Sequence, residues 1–209
     1  MPSVERTGAP RSVRASLRGA TVVLDDRPVL RGVDLELGPG IVVVRGPNGS
    51  GKTTLLRALA GLVQLVGGTR AVSADLLYLA HRPQLLRGLT VRENLAFLAA
   101  FRGIAAAPIG AALERWGLGA VADRPVERLS AGQRRRAALA RLLTEPVPIA
   151  LLDEPFAELD ADATALLRAE IARARERGAA ILVASHGHPE LDALASCVYA
   201  IHDGILAAS

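Results

Sequence analysis

The β-branched run Ile41-Val42-Val43-Val44 leads into Gly46-Pro47-Asn48-Gly49-Ser50-Gly51-Lys52-Thr53, and an apolar helical stretch over about 52–62 follows. The middle segment fits G-x-x-x-x-G-K-[ST] in the strand–loop–helix context that this spacing requires. Few folds accommodate such a loop. Its glycines let the backbone wrap an anion with consecutive N–H groups, and the helix N-terminus adds positive potential. Lys52 would reach the β- and γ-phosphates of a nucleotide as a movable point charge, and Thr53 would offer its hydroxyl to Mg²⁺. Gly46, Pro47, Asn48, Gly49, Ser50, Gly51, Lys52, Thr53 and the adjoining Thr54 are the candidate nucleotide contacts. The bland alternative is a glycine-rich turn with an accidental lysine. Against it, Lys52 is the only lysine among 25 basic residues. A chain that otherwise uses arginine for positive charge keeps the compact, flexible ammonium at this one place.

Strands and helices alternate along the rest of the chain. Val13–Leu24 and Val29–Leu37 read as strands joined by the turn Asp25–Pro28, and Leu76–Ala80, Ile149–Leu152 and Ala180–Ala184 read as short buried strands. Gly67-Gly68 reads as the end of the first helical segment. Thr90 with Glu93 three positions on is a capping box for a helix to Phe101. Further helices are expected over Pro108–Trp116, Ala131–Thr144 behind the cap Ser130, Ala161–Arg177 ended by Gly178, and a shorter piece over Pro189–Ala195. Val198–Ile201 and Ile205–Ala207 read as a closing hairpin. This is an α/β pattern around a largely parallel sheet. Residues 1–12 read as a flexible tail, and 13–209 as one domain.

Composition removes several classes. Half of the 209 residues are hydrophobic and 22% are charged, which excludes a disordered chain. The apolar stretch Leu95–Phe101 is cut by Arg102, and nothing approaches the length of a membrane span. Residues 1–18 have no apolar core of a secretory signal. The single cysteine, Cys197, excludes a disulfide framework and reads as a small buried hydrophobe. Net charge is +4, yet aromatic residues are 3% and the basic residues are scattered, so no nucleic-acid partner is expected. His188 and His202 read as surface or turn residues, and Trp116 and Phe101 as packing in a helical core.

Two further motifs carry chemistry. In Ile149-Ala150-Leu151-Leu152-Asp153-Glu154-Pro155 an apolar strand ends in adjacent carboxylates. Asp153 can hold Mg²⁺, often through water. Glu154 can act as base or orient a water for in-line attack on a γ-phosphate. The alternative is an ordinary acidic strand end, which the phosphate loop elsewhere in the chain disfavours. In Leu129-Ser130-Ala131-Gly132-Gln133 a serine caps a helix whose N-terminus is a second potential anion site. The following Arg134-Arg135-Arg136 reads as a solvated face with one packed stem.

Taken in order, Gly46–Thr53, Leu129–Gln133, Ile149–Pro155, Glu158-Leu159-Asp160 and His186 resemble the ATP-binding subunits of ABC transporters over about residues 13–206. The resemblance implies a P-loop NTPase fold with a parallel core sheet, a small antiparallel β-subdomain and a helical subdomain at about 82–145. It implies an ATPase that uses ATP and Mg²⁺ and works as a head-to-tail homodimer. Ser130, Gly132 and Gln133 would then complete the nucleotide site of the other chain, and His186 would contact the γ-phosphate. Lys52, Glu154 and His186 would be catalytic, and Thr53, Asp153 and His81 would lie at the metal. Integral membrane permease subunits would be the partners, with the chain cytoplasmic and peripheral on the inner face of the cell membrane. The helix from Thr90 to Phe101, with Arg92 and Phe97, lies where this family docks its membrane partner.

Two positions depart from the family pattern. Leu24 stands where an aromatic residue usually stacks on adenine, and His81 stands where a glutamine usually bridges metal and membrane subunit, with Gln84 three residues late. Gly67–Leu76 is short, so the antiparallel subdomain is expected to be trimmed. Tyr78-Leu79-Ala80-His81, Leu89–Phe97 and Leu129–Leu143 resemble the haem-exporter ATPases of c-type cytochrome biogenesis. An ATPase of another exporter and a soluble non-transport ABC ATPase stay open as alternatives.

Overall fold

The computed structural model describes residues 12–186, 191 and 193–209. Strands β1 (Ala15–Leu24) and β2 (Arg27–Leu37) form an antiparallel hairpin. Its two-residue turn, Asp25-Asp26, has φ of 47° and 60°, the geometry that matches right-handed strand twist. After β3 (Gly40–Arg45) comes helix α1 (Lys52–Ala60), which Gly61 ends in a left-handed conformation. Strand β4 (Gly67–Val72) then pairs antiparallel with β1, giving a three-stranded sheet in the order β2-β1-β4. The helical segment expected to close at Gly67-Gly68 ends earlier, at Ala60, and Gly67 instead opens a strand that the sequence reading does not include. β4 is a mostly exposed edge, so its sequence shows no hydrophobic alternation for a reader to find.

Strand β5 (Leu76–Leu79) opens a six-stranded sheet completed by β6 (Ile149–Asp153), β7 (Ala180–Ser185), β8 (Cys197–His202) and β9 (Ile205–Ala208). The order is β5-β6-β7-β3-β8-β9, parallel throughout except for β9 against β8. β3, β6 and β7 are buried on both faces, which explains their unbroken apolar runs. Ile41 and Val43 face one core, shared with Leu95, Trp116 and Leu167. Val42 and Val44 face the other, shared with α1 and the antiparallel sheet.

Between β5 and β6 lie α2 (Val91–Phe101), α3 (Ile109–Arg115), α4 (Ala131–Leu139) and α5 (Arg141–Thr144); α6 (Ala161–Glu176) precedes β7. Helix α2 begins with the expected capping box: Thr90 accepts from the Glu93 N–H, and Glu93 accepts from the Thr90 N–H. The single helix expected over 131–144 is instead two, meeting at Ala140, whose ψ of −20° departs from the α-helical value. The expected core role of Phe101 is also corrected. Val91, Leu95 and Ala99 form the buried stripe of α2, while Phe97 and Phe101 share the opposite one. Phe101 is 82% exposed and its ring stacks on that of Phe97. Trp116 is buried as expected, Cys197 is half-buried, and His202 is at the surface beside Asp203. His188, and part of the helix expected over 189–195, lie outside the described residues. Among the described residues, no helix is long and apolar enough to cross a membrane.

Candidate functional site

The C-terminal ends of β3, β6 and β7 lie side by side, the place where open parallel sheets gather their ligands. The loop between β3 and α1 turns there. At Gly46 even a methyl group would sit 2.4 Å from the Ile201 carbonyl oxygen, so the loop can begin only with glycine. Helix α1 starts at Gly51 with no side-chain cap, which leaves its first N–H groups to a ligand. Lys52 is buried, and its ammonium donates to the Gly46 carbonyl at 2.7 Å and the Pro47 carbonyl at 3.1 Å.

Across the loop, the Thr53 hydroxyl donates to both oxygens of Asp153, at 3.1 and 2.9 Å. This is an all-oxygen donor pair, the kind a hard divalent cation such as Mg²⁺ selects. Glu154 follows at φ 46°, a left-handed conformation that costs a non-glycine residue of order 1–3 kcal/mol. The turn aims its carboxylate between two side chains: the Lys52 ammonium at 3.6 Å and the His186 imidazole at 3.1 Å. The His186 N–H also donates to the other Glu154 oxygen at 3.3 Å.

These residues surround a cleft of about 640 Å³ that Thr54, His81 and Gln84 also line. The histidine and the glutamine three residues later therefore both reach it. Its hairpin-side wall includes Val29 of β2, whereas Leu24 is not among its lining residues. Ser130, Gly132 and Gln133 stand elsewhere, at the N-terminus of α4. Ser130 and Gln133 form a closed capping box, each accepting the other's backbone N–H, at 2.9 and 3.1 Å. A methyl group at Gly132 would lie 3.7 Å from the Glu158 carbonyl oxygen, an ordinary contact. Asp160 caps α6 through the Ala163 N–H and pairs with Arg136, which together with the cap holds its carboxyl below the usual range.

Two residues behind this cleft have a role that the sequence does not show. The buried Tyr78 on β5 donates its hydroxyl to Asp153 at 3.3 Å. Burial, then the Asp153 charge, raises its pKa. The short buried strand read over Leu76–Ala80 includes this tyrosine but does not mark which face meets the carboxylate. Arg135 corrects the reading of the arginine triplet. Its whole side chain is buried, and its guanidinium donates to four backbone carbonyls behind the site.

Comparison with known proteins agrees with this geometry. A sequence-family model described as ABC transporter matches residues 30–157. The cytochrome c biogenesis ATP-binding export protein CcmA of Paracoccus denitrificans is 47% identical over 159 residues, covering 74% of this chain and 75% of that one. The protein of the same name from Ruegeria pomeroyi is 45% identical, covering 79% and 81%. Among solved structures, an ATP-binding subunit of an ABC transporter superposes with a TM-score of 0.84 at 22% identity, covering 93% of this chain and 89% of that one. A dimeric ATP-binding cassette holding ADP and phosphate gives 0.83 at 22% identity, covering 92% and 96%. The chain belongs to the ABC transporter family as an ATP-binding, ATP-hydrolysing subunit.

Proposed function

We propose that this chain powers an exporter of c-type cytochrome biogenesis that handles haem, binding Mg·ATP between two copies of itself at the inner face of the cell membrane. The observation that carries the catalytic part is the aim of Glu154 between Lys52 and His186, beside the Thr53–Asp153 pair. Lys52 exchanges the Gly46 and Pro47 carbonyls for phosphate oxygens, a trade its flexible stem permits. Thr53 and Asp153 would hold Mg²⁺, which would neutralise charge on the phosphates. Glu154 orients a water in line with the γ-phosphorus and accepts its proton. A bond forms from the water oxygen to phosphorus, the bridging bond to ADP breaks, and phosphate is released. His186 shares the Glu154 carboxylate and donates toward the γ-phosphate. His81 and Gln84 sit on the same cleft, where a change in occupancy can pass to the loop behind them.

The exposed N-terminus of α4 suits the second role. Ser130, Gly132 and Gln133 lie away from their own cleft, so their contact with nucleotide is made in a partner copy, in an isologous dimer. The exposed Phe97–Phe101 pair on α2, with Arg92 at the start of the same helix, offers an apolar platform to an integral membrane permease subunit. The cargo assignment rests on the 42–47% identity to proteins named for cytochrome c biogenesis.

Replacing Glu154 by Gln tests both parts. Hydrolysis should fall by at least a hundredfold while ATP still binds and holds a dimer, as read by phosphate release and light scattering. Wild-type turnover in this variant would remove Glu154 from the mechanism. The same tagged variant, purified with ATP from solubilised native membranes, should bring a multi-span subunit and cytochrome c assembly proteins, identified by mass spectrometry. A different permease would overturn the cytochrome role, and no membrane protein at all would point to a soluble ABC ATPase.

A further inference from the structure

One guanidinium behind the cleft ties together the ends of β5 and β6. Arg135 is the fifth residue of α4 and is 2% exposed, while its neighbours Arg134 and Arg136 are half-buried and turn elsewhere. Its Nη1 donates to the carbonyls of Ala80 at 3.0 Å and His81 at 2.7 Å. Its Nη2 donates to the carbonyls of Asp153, at 3.3 Å, and Glu154. The β5–β6 ladder ends at Leu79 opposite Leu152. Beyond it the two backbones part, and the planar fork of an arginine spans the gap in a way that a single ammonium cannot.

We infer that Arg135 is a positioning residue for ATP hydrolysis, locking the left-handed backbone of Glu154 and the His81 loop in one arrangement. The inference rests on the proposed role of Glu154. The Glu154 backbone is held from three sides: its N–H donates to the Ala184 carbonyl at 2.9 Å, and its carbonyl accepts from the Ala157 N–H at 3.2 Å and from Arg135. Without Arg135 the φ of 46° loses a restraint, and the carboxylate swings off the line between Lys52 and His186. Burial disfavours the arginine's charge, while the nearby Glu158, Asp153 and Glu154 charges favour it. None of its contacts reaches the phosphate loop, so the lysine and the uncapped end of α1 keep their nucleotide contacts without it.

The test uses the full chain carrying Arg135→Lys, with Arg135→Gln as a second variant and Glu154→Gln as the reference. In both arginine variants kcat should fall by about tenfold or more, with KM for ATP within threefold of wild type. The ATP-bound dimer, measured by light scattering, should accumulate as it does in Glu154→Gln, because binding persists while hydrolysis slows. A scaffold role predicts the opposite sign, with dimer and kcat falling together and KM rising, and that result overturns the inference. So does wild-type kcat in either variant while Glu154→Gln is inactive. Precipitation of both arginine variants beside a soluble Glu154→Gln assigns Arg135 to the core and also overturns it. Wild-type turnover by Glu154→Gln removes the reading beneath it, an outcome visible in the reference alone.

Discussion

Helices α1 and α4 both present an N-terminus in the region the motifs single out, yet the chain finishes the two ends differently. α1 has no side-chain cap and no acidic residue in its first turn, and it begins from a left-handed glycine. Beside it lies the buried lysine, whose ammonium donates to the Gly46 carbonyl and pairs with Glu154 at 3.6 Å. α4 closes on itself through the Ser130–Gln133 box, and its capping residues do not line the cleft of their own chain. An open helix end is an anion site in waiting, because the charge and donors are unspent. A capped end is stable alone and gives up its donors only to something better. In the proposed dimer, one chain would build half of each nucleotide site outright and keep the other half in a resting form. The proposed dimer follows from that asymmetry more directly than from any single motif.

The largest effect that breaks the contrast is expected at the open end. Lys52→Ala should weaken ATP binding by about a hundredfold or more, since charge-assisted hydrogen bonds contribute about 1.5–3 kcal/mol each. Equilibrium titration with a fluorescent ATP analogue measures it. Lys52→Arg should fail nearly as badly, because a guanidinium does not fit between the Gly46 and Pro47 carbonyls as a point charge does. Near-native affinity in either variant would mean that the loop alone carries the phosphate.

Next is the residue that leaves α1 open. Gly51 has φ 109°, and a methyl group there would lie 3.0 Å from the Val29 carbonyl oxygen and 3.2 Å from Leu30. Gly51→Ala should destabilise the protein by about 1–3 kcal/mol and move the first N–H groups of α1 off their aim. Urea denaturation and ATP titration together separate the two effects. Unchanged stability would show that the loop has slack to absorb a side chain.

The same contrast explains what could be read in advance. The open end was legible because phosphate binding needs particular residues at fixed spacing, and Lys52 stood out in a chain of arginines. β3, β6 and β7 were legible because burial on both faces leaves an unbroken apolar run. Strand β4 was hidden because an exposed edge has no pattern to show. Phe101 was misplaced because hydrophobicity alone does not tell the stripe of Val91, Leu95 and Ala99 from the one four residues apart on the other side. Arg135 was half legible: an arginine near a helix start is ordinary, and only the fold brings the ends of β5 and β6 within its reach.

At the capped end, Ser130→Ala removes one half of the box and should cost about 1 kcal/mol of stability, the usual loss for a serine N-cap. ATP binding by the isolated chain should not change, while hydrolysis should fall sharply, because the missing hydroxyl belongs to the partner's site. Mixing sharpens the argument. A Ser130→Ala chain still has a good phosphate loop, and a Lys52→Ala chain still has a good α4 terminus. If the two halves meet across a dimer, the mixture has one intact site per heterodimer and recovers phosphate release that neither variant shows alone. If both halves served the same chain, mixing would recover nothing.

The smallest effect compares the α4 box with that of α2, which differs in using an acid. The Glu93 carboxyl is held below its usual 4.5 by the Thr90 N–H, with the Thr90 hydroxyl adding to it. A depressed folded-state pKa gives stability that is fully present above the unfolded value and lost as pH falls through the folded one. The contribution of the α2 cap is therefore complete above about pH 4.5 and drains away in more acid solution. Gln133 in the α4 box has no proton to gain, so that cap is indifferent over the same range. Glu93→Gln should make the α2 box like the α4 box. Above about pH 4.5 the variant should be slightly less stable, for want of a negative charge at a helix N-terminus. The gap should close as the wild type is acidified from pH 6 to 3 in urea melts. Parallel curves over that range would show that the carboxyl of Glu93 titrates alike in the folded and unfolded chain, and that the α2 cap draws nothing from its charge.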